Sequence, residues 1–176
     1  MILSQTKIIK HTAYLFVFLL SCPAMLFSQI NTDRVMTIGR NALYFEDYVL
    51  SIQYFNQVIN AKPYLAGPYF YRGLAKINLD DYQGAEADCS ESIERNPYVV
   101  SAYQVRGLSR IKMNNIKGAI SDYEKALVYD PENVGIWHNL SLCRIEDKDY
   151  EGAKKDLNKL LEISPKYTKA YLMRGE

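Results

Sequence analysis

The stretch from Val100 to Asn133 reads VSAYQVRGLSRIKMNNIKGAISDYEKALVYDPEN, and its landmarks return along the chain at a fixed step. Pro131 belongs to a series with Pro63, Pro97 and Pro165, each 34 residues from the next. Gly107 belongs to a second series, with Gly39, Gly73 and Gly175, and Ser141 fills the missing place. Ala119 stands with Ala85 and Ala153, preceded by Ser51. Tyr103 stands with Tyr69, Trp137 and Tyr171, preceded by Val35. Four columns in one register exclude coincidence. A period of this length marks a repeated helix–turn–helix unit. The units run 32–65, 66–99, 100–133 and 134–167, with an incomplete fifth over 168–176.

Each column has a physical task. Small Gly and Ala residues let two helices of a unit approach at the short end of the usual spacing. The aromatic column fills the space between units. Asp47, Asp81, Asn115 and Asp149 stand just before the second helix of each unit. Their short polar side chains suit the free amides of a helix start. Tyr48, Tyr82, Ile116 and Tyr150 follow them. The prolines close the second helix, because a residue before proline avoids the helical region. One such unit cannot bury its apolar face alone, so neighbours must stack. The expectation is an all-α solenoid of antiparallel helix pairs.

These residues resemble the tetratricopeptide repeat. Its pattern is a large aromatic, Leu-Gly, then Ala, an aromatic, Ala and Pro. The third unit matches it at Tyr103, Gly107, Ala119, Tyr123, Ala126 and Pro131. Arg72, Arg106 and Arg174 stand where the family usually has Leu, and the first unit diverges most, as a cap would. The resemblance implies a right-handed superhelix whose concave face, lined by the first helices, takes a protein or peptide partner. It places Phe70, Tyr71, Gln104, His138 and Lys169 at that face. Leu74, Leu108 and Leu142 share it, but with Ile77, Ile111 and Ile145 they read as core between first helices. Family members that clamp a chaperone's terminal carboxylate use Lys and Asn in the first helices. The matching slots here hold Met36, Arg40, Phe70, Leu74, Gln104 and Leu108, so that clamp is missing.

Composition narrows the function classes. The chain has 21 basic and 20 acidic residues, and removal of Lys7 and Lys10 with the first 28 residues leaves it slightly acidic. A near-neutral body lacks the basic face that nucleic acid requires. Beyond that segment His138 is the only histidine, so no triad or multi-histidine zinc site is expected. Cys89 and Cys143 lie in units two steps apart, too far for a bridge whose Cα atoms must stand within about 7 Å. They read as buried thiols. Asp88, Asp122 and Asp156 recur opposite the arginine column and read as an ion-pair ladder rather than an anion-binding stripe. Asn139-Leu140-Ser141 forms a glycosylation triplet inside an expected helix, where it carries no weight. No glycine-rich phosphate loop or calcium loop is present. The expectation is a protein without catalytic residues, metal or cofactor.

The first residues describe an export signal over 1–28. Lys7 and Lys10 precede an apolar run from Ala13 to Leu20, and no charge appears between Thr12 and Thr32. A basic start, a short apolar middle and a small-residue exit fit a cleaved leader, with cleavage after Ser28 preferred to cleavage after Ala24. Leu19-Leu20-Ser21-Cys22 also resembles a bacterial lipoprotein box, the less favoured alternative, and the run is marginal as a membrane anchor. The expected role is an exported adaptor, with two alternatives. One is an assembly subunit that self-associates. The other is the repeat region of a longer protein, since the fifth unit stops in mid-helix at Glu176.

Overall fold

The computed structural model describes residues 31–175, so the export segment expected over 1–28 lies outside the described residues. Nine α-helices and no strand appear among them. The first helices of the units are α1 (Thr32–Tyr44), α3 (Ala66–Ile77), α5 (Val100–Lys112), α7 (Val134–Glu146) and α9 (Thr168–Arg174). The second helices are α2 (Tyr48–Ala61), α4 (Tyr82–Arg95), α6 (Ile116–Tyr129) and α8 (Tyr150–Ile163). Every start recurs at the step of 34 that the sequence shows.

The turns are as periodic as the helices. Glu46, Asp80, Asn114 and Lys148 all adopt the left-handed region, with φ between 59° and 65°. This costs an ordinary residue about 1–2 kcal/mol, less for Asn and Asp, whose side chains bond locally. The residue after each is the cap that the sequence predicts. Asp47 accepts from the Leu50 amide at 3.1 Å, Asp81 from Gly84 at 2.9 Å, and Asn115 and Asp149 from Gly118 and Gly152 at 3.0 Å. At the other end, Lys62, Asn96, Asp130 and Ser164 leave the helical region directly before the four prolines.

Within a unit, the glycine column meets a large side chain on the second helix. A Cβ on Gly39 would lie 2.8 Å from the Phe55 ring, and one on Gly107 would lie 3.0 Å from the Tyr123 ring. At Gly73 the neighbours are Cys89 Sγ at 3.0 Å and the Ala85 carbonyl at 3.2 Å. Ser141 takes the fourth place and is fully buried. Ala85, Ala119 and Ala153 are buried against the same contact.

Between units the core is continuous. One cluster joins Tyr103, Ala119, Tyr123 and Leu127 of the third unit to Ile136, Leu140 and Cys143 of the fourth. The next joins Leu157, Leu160 and Leu161 to Ala170 of the fifth, and Trp137 packs against both. Each helix packs on its sequence neighbours. Successive first helices also touch, α1 with α3 and α3 with α5, more closely than successive second helices do. The first helices therefore form the inner side of a right-handed solenoid. Since Ala119 has no free space around it, Ala119→Leu is expected to lower stability by about 1–3 kcal/mol in urea unfolding.

Candidate functional site

The residues that the sequence reading assigns to the inner face differ in exposure and in contacts. Phe70 and Tyr71 are half-buried and in ring contact at 4.9 Å. Tyr71 also stacks on Phe55 of the preceding unit, centroids 5.6 Å apart, with the Arg40 guanidinium 6.0 Å from its ring. Tyr71 is thus tied into the packing between units. Gln104 is half-buried and Lys169 exposed. His138 is half-buried, with the Tyr167 ring edge-on at 5.5 Å. Burial, and secondarily the charge of Lys169, hold its pKa below the usual value.

The leucine column corrects the sequence reading. Leu108 and Leu142, expected as core, are 42% and 45% exposed. Leu74 is half-buried and packs with Phe70 and Ile77 on Cys89, Ala102 and Val105. Ile77, Ile111 and Ile145, three residues further on, are half-buried, and Ile77 and Ile111 pack against the core clusters. A second feature escaped the sequence altogether. A hollow of about 400 Å³ opens at the amino-terminal edge of the array, lined by Met36, Val58, Leu65, Pro68 and Val99. Its lining comes from five segments, so no local pattern announces it.

The charged columns are consumed by the scaffold. Arg72 donates to Asp88 of its own unit at 2.8 Å and to Asn56 of the preceding unit at 2.6 Å. Arg106 repeats this with Asp122 at 2.6 Å and Ser90 at 3.1 Å, and Arg174 reaches back to Asn158 at 2.6 Å. Each bond spans 16 residues, forwards or backwards. A second cation joins each aspartate from one turn further on: Lys76 at 2.9 Å from Asp88 and Arg110 at 2.8 Å from Asp122. The aromatic column is pinned as well. Tyr69, Trp137 and Tyr171 donate to the carbonyls of Pro63, Pro131 and Pro165 at 2.8–3.2 Å.

Cys89 and Cys143 are free and buried, as expected. Burial, then the neighbouring acids, push their thiols to about 12 and about 11, so neither supplies a thiolate near neutral pH. Among the described residues no group of three or more metal-ligating side chains is placed to hold an ion. No helix among them is long and apolar enough to cross a membrane.

Residues 110–175 match the family model for the tetratricopeptide repeat. Over this part of its length the chain is similar to the tetratricopeptide repeat. Comparison with curated proteins finds no match. Solved structures share the fold. MamA from Desulfovibrio magneticus RS-1 superposes with a TM-score of 0.75 at 19% identity, covering 82% of this chain and 81% of that one. The first tetratricopeptide domain of Spaghetti (RPAP3), bound to the HSP90 peptide SRMEEVD, gives 0.64 at 23% identity, covering 65% and 94%. YrrB, a tetratricopeptide protein with an unusual peptide-binding site, gives 0.72 at 16% identity, covering 83% and 75%. At these identities the likeness is one of fold. This chain shares their architecture of stacked helix pairs.

Exposure separates neighbouring leucines of α7 experimentally. Leu142→Gln, like Leu108→Gln, is expected to stay within the roughly 0.5 kcal/mol range of surface substitutions in urea unfolding. Leu140→Ala, two residues away and 1% exposed, should cost about 2–5 kcal/mol.

Proposed function

We propose that this chain is an exported, non-catalytic scaffold that holds a protein or peptide segment along the face formed by its first helices. The observation that carries this reading is the exposure of Leu108 and Leu142 on consecutive units, beside half-buried Phe70, Gln104 and His138. Apolar side chains left open at a regular spacing suit a segment that presents apolar anchors at matching intervals. The peptide bound in the RPAP3 structure and the peptide-binding site of YrrB support such a use of the fold. The absence of Lys and Asn from the carboxylate-clamp slots directs the reading away from acidic chain termini and towards apolar anchors. Export rests on the basic, apolar and small-residue order of residues 1–28.

An assembly role is the second reading. It is favoured by Tyr44 and Phe45, 81% and 76% exposed at the first turn of the array. A strict monomer in sedimentation at high concentration counts against it.

Two experiments test the main reading. Peptides selected by display against the wild-type protein should bind Phe70→Ala/Gln104→Ala and Leu108→Glu/Leu142→Glu at least about tenfold more weakly, the scale of losing an interface anchor. Equal affinity for wild type and both variants rejects the groove. Separately, amino-terminal sequencing of the protein from a secreting bacterium should begin at Gln29. A chain that keeps Met1 and fractionates with the cytoplasm rejects export.

A further inference from the structure

The fourth unit breaks the charged spine at one point and keeps its acid. Leu140 occupies the place held by Arg72, Arg106 and Arg174, and it is 1% exposed in the core. Asp156 nevertheless remains, 5% exposed, in the place of Asp88 and Asp122. Those two aspartates each have two cations; Asp156 has Arg144 alone. Arg144 is divided. Its Nη2 bonds Glu124 of the third unit at 2.6 Å, its Nη1 lies 3.9 Å from Asp149, and its Nε faces Asp156 Oδ2 at 3.2 Å. That last approach lacks hydrogen-bond alignment, and both atoms are buried without another partner.

We propose that Asp156 is a proton-sensitive latch that tightens the packing of α7 against α8 in mild acid and loosens it near neutral pH. Three acids, from α6, the α8 cap and α8 itself, surround one guanidinium. From α9, Arg174 donates to Asn158. A buried carboxylate with half a partner is relieved by taking up a proton, which also gives it a donor. Burial raises the Asp156 pKa to about 6; Arg144 opposes this, and Glu124 and Asp149 add to it. The folded state thus binds the proton more tightly than the unfolded chain. The contribution to stability is complete below the ordinary carboxylate value and fades as pH rises through about 6. His138 on α7 acts with the opposite sign. Its lowered pKa favours the neutral ring, so its contribution is lost as pH falls. Since α7 also carries Leu142, the latch sets how firmly part of the inner face is held.

Trp137 is the only tryptophan of the chain and packs against the clusters on both sides of α7. Its fluorescence reports urea unfolding of this region in the full chain. With His138→Gln removing the opposing titration, the folded-to-unfolded ratio should rise about tenfold from pH 7.5 to pH 5. Adding Asp156→Asn should abolish that rise. Adding Glu124→Gln, at an exposed site, should move it to lower pH, because one opposing charge is gone and Arg144 is released. A His138→Gln protein with no rise, or one whose rise survives Asp156→Asn, overturns the proposal.

Discussion

Gly107 has no side chain because the Tyr123 ring stands where one would go, and the rest of the solenoid follows from that approach. The same contact recurs between Gly39 and Phe55 and between Gly73 and Cys89. It fixes how close two helices of a unit lie, and hence the angle at which the pair presents itself to the next. Neither helix of a pair is covered by its partner alone. Tyr123 and Leu127 are completed by Ile136, Leu140 and Cys143 of the following unit. Stability in such an array is a sum of units and of the interfaces between them.

Apolar stacking is non-directional, so it does not by itself fix the phase between units. The arginine spine does. Arg72 and Arg106 each join an aspartate of their own unit and a polar residue of the one before. A slip of one residue in either helix would break both bonds and leave a buried charge. Ion pairs taken out of water contribute little net energy against apolar replacements of equal volume, but breaking one side of them is costly. The spine therefore penalises wrong registers more than it stabilises the right one. Leu140 shows the exchange directly: it adds a fully buried apolar side chain and leaves Asp156 dependent on a shared guanidinium.

Most of this architecture is legible in the sequence because its constraints are local and repeated. The cap residues, the prolines and the glycine column each act within one unit, so their spacing alone places every helix start. Exposure is different. Leu74, Leu108 and Leu142 share one column, yet the first is half-buried and the other two are open. The difference depends partly on neighbours in other units: Leu74 packs with Phe70 on Cys89 and on Ala102 and Val105 of the next unit, while the residues matching Phe70 beside Leu108 and Leu142 are the polar Gln104 and His138. The apolar hollow at the first edge is hidden for the same reason. The role of Arg144 was legible only in part, since its column holds Lys76 and Arg110, but its divided loyalty appears only in three dimensions.

The variation between units, more than the repeat, carries what is specific to this chain. A perfect array would present the same groove and the same interface at every step. Here the second unit offers a packed aromatic pair, Phe70 and Tyr71, and the third an open Leu108 beside Gln104. The fourth combines open Leu142 with His138 and the incomplete charge site behind it. The residues that hold α7 in place and those it shows to the inner face lie on opposite sides of the same helix, within one turn. The proposed response of Asp156 would therefore reach Leu142 without a relay through other elements, because α7 bears both Leu142 and Arg144.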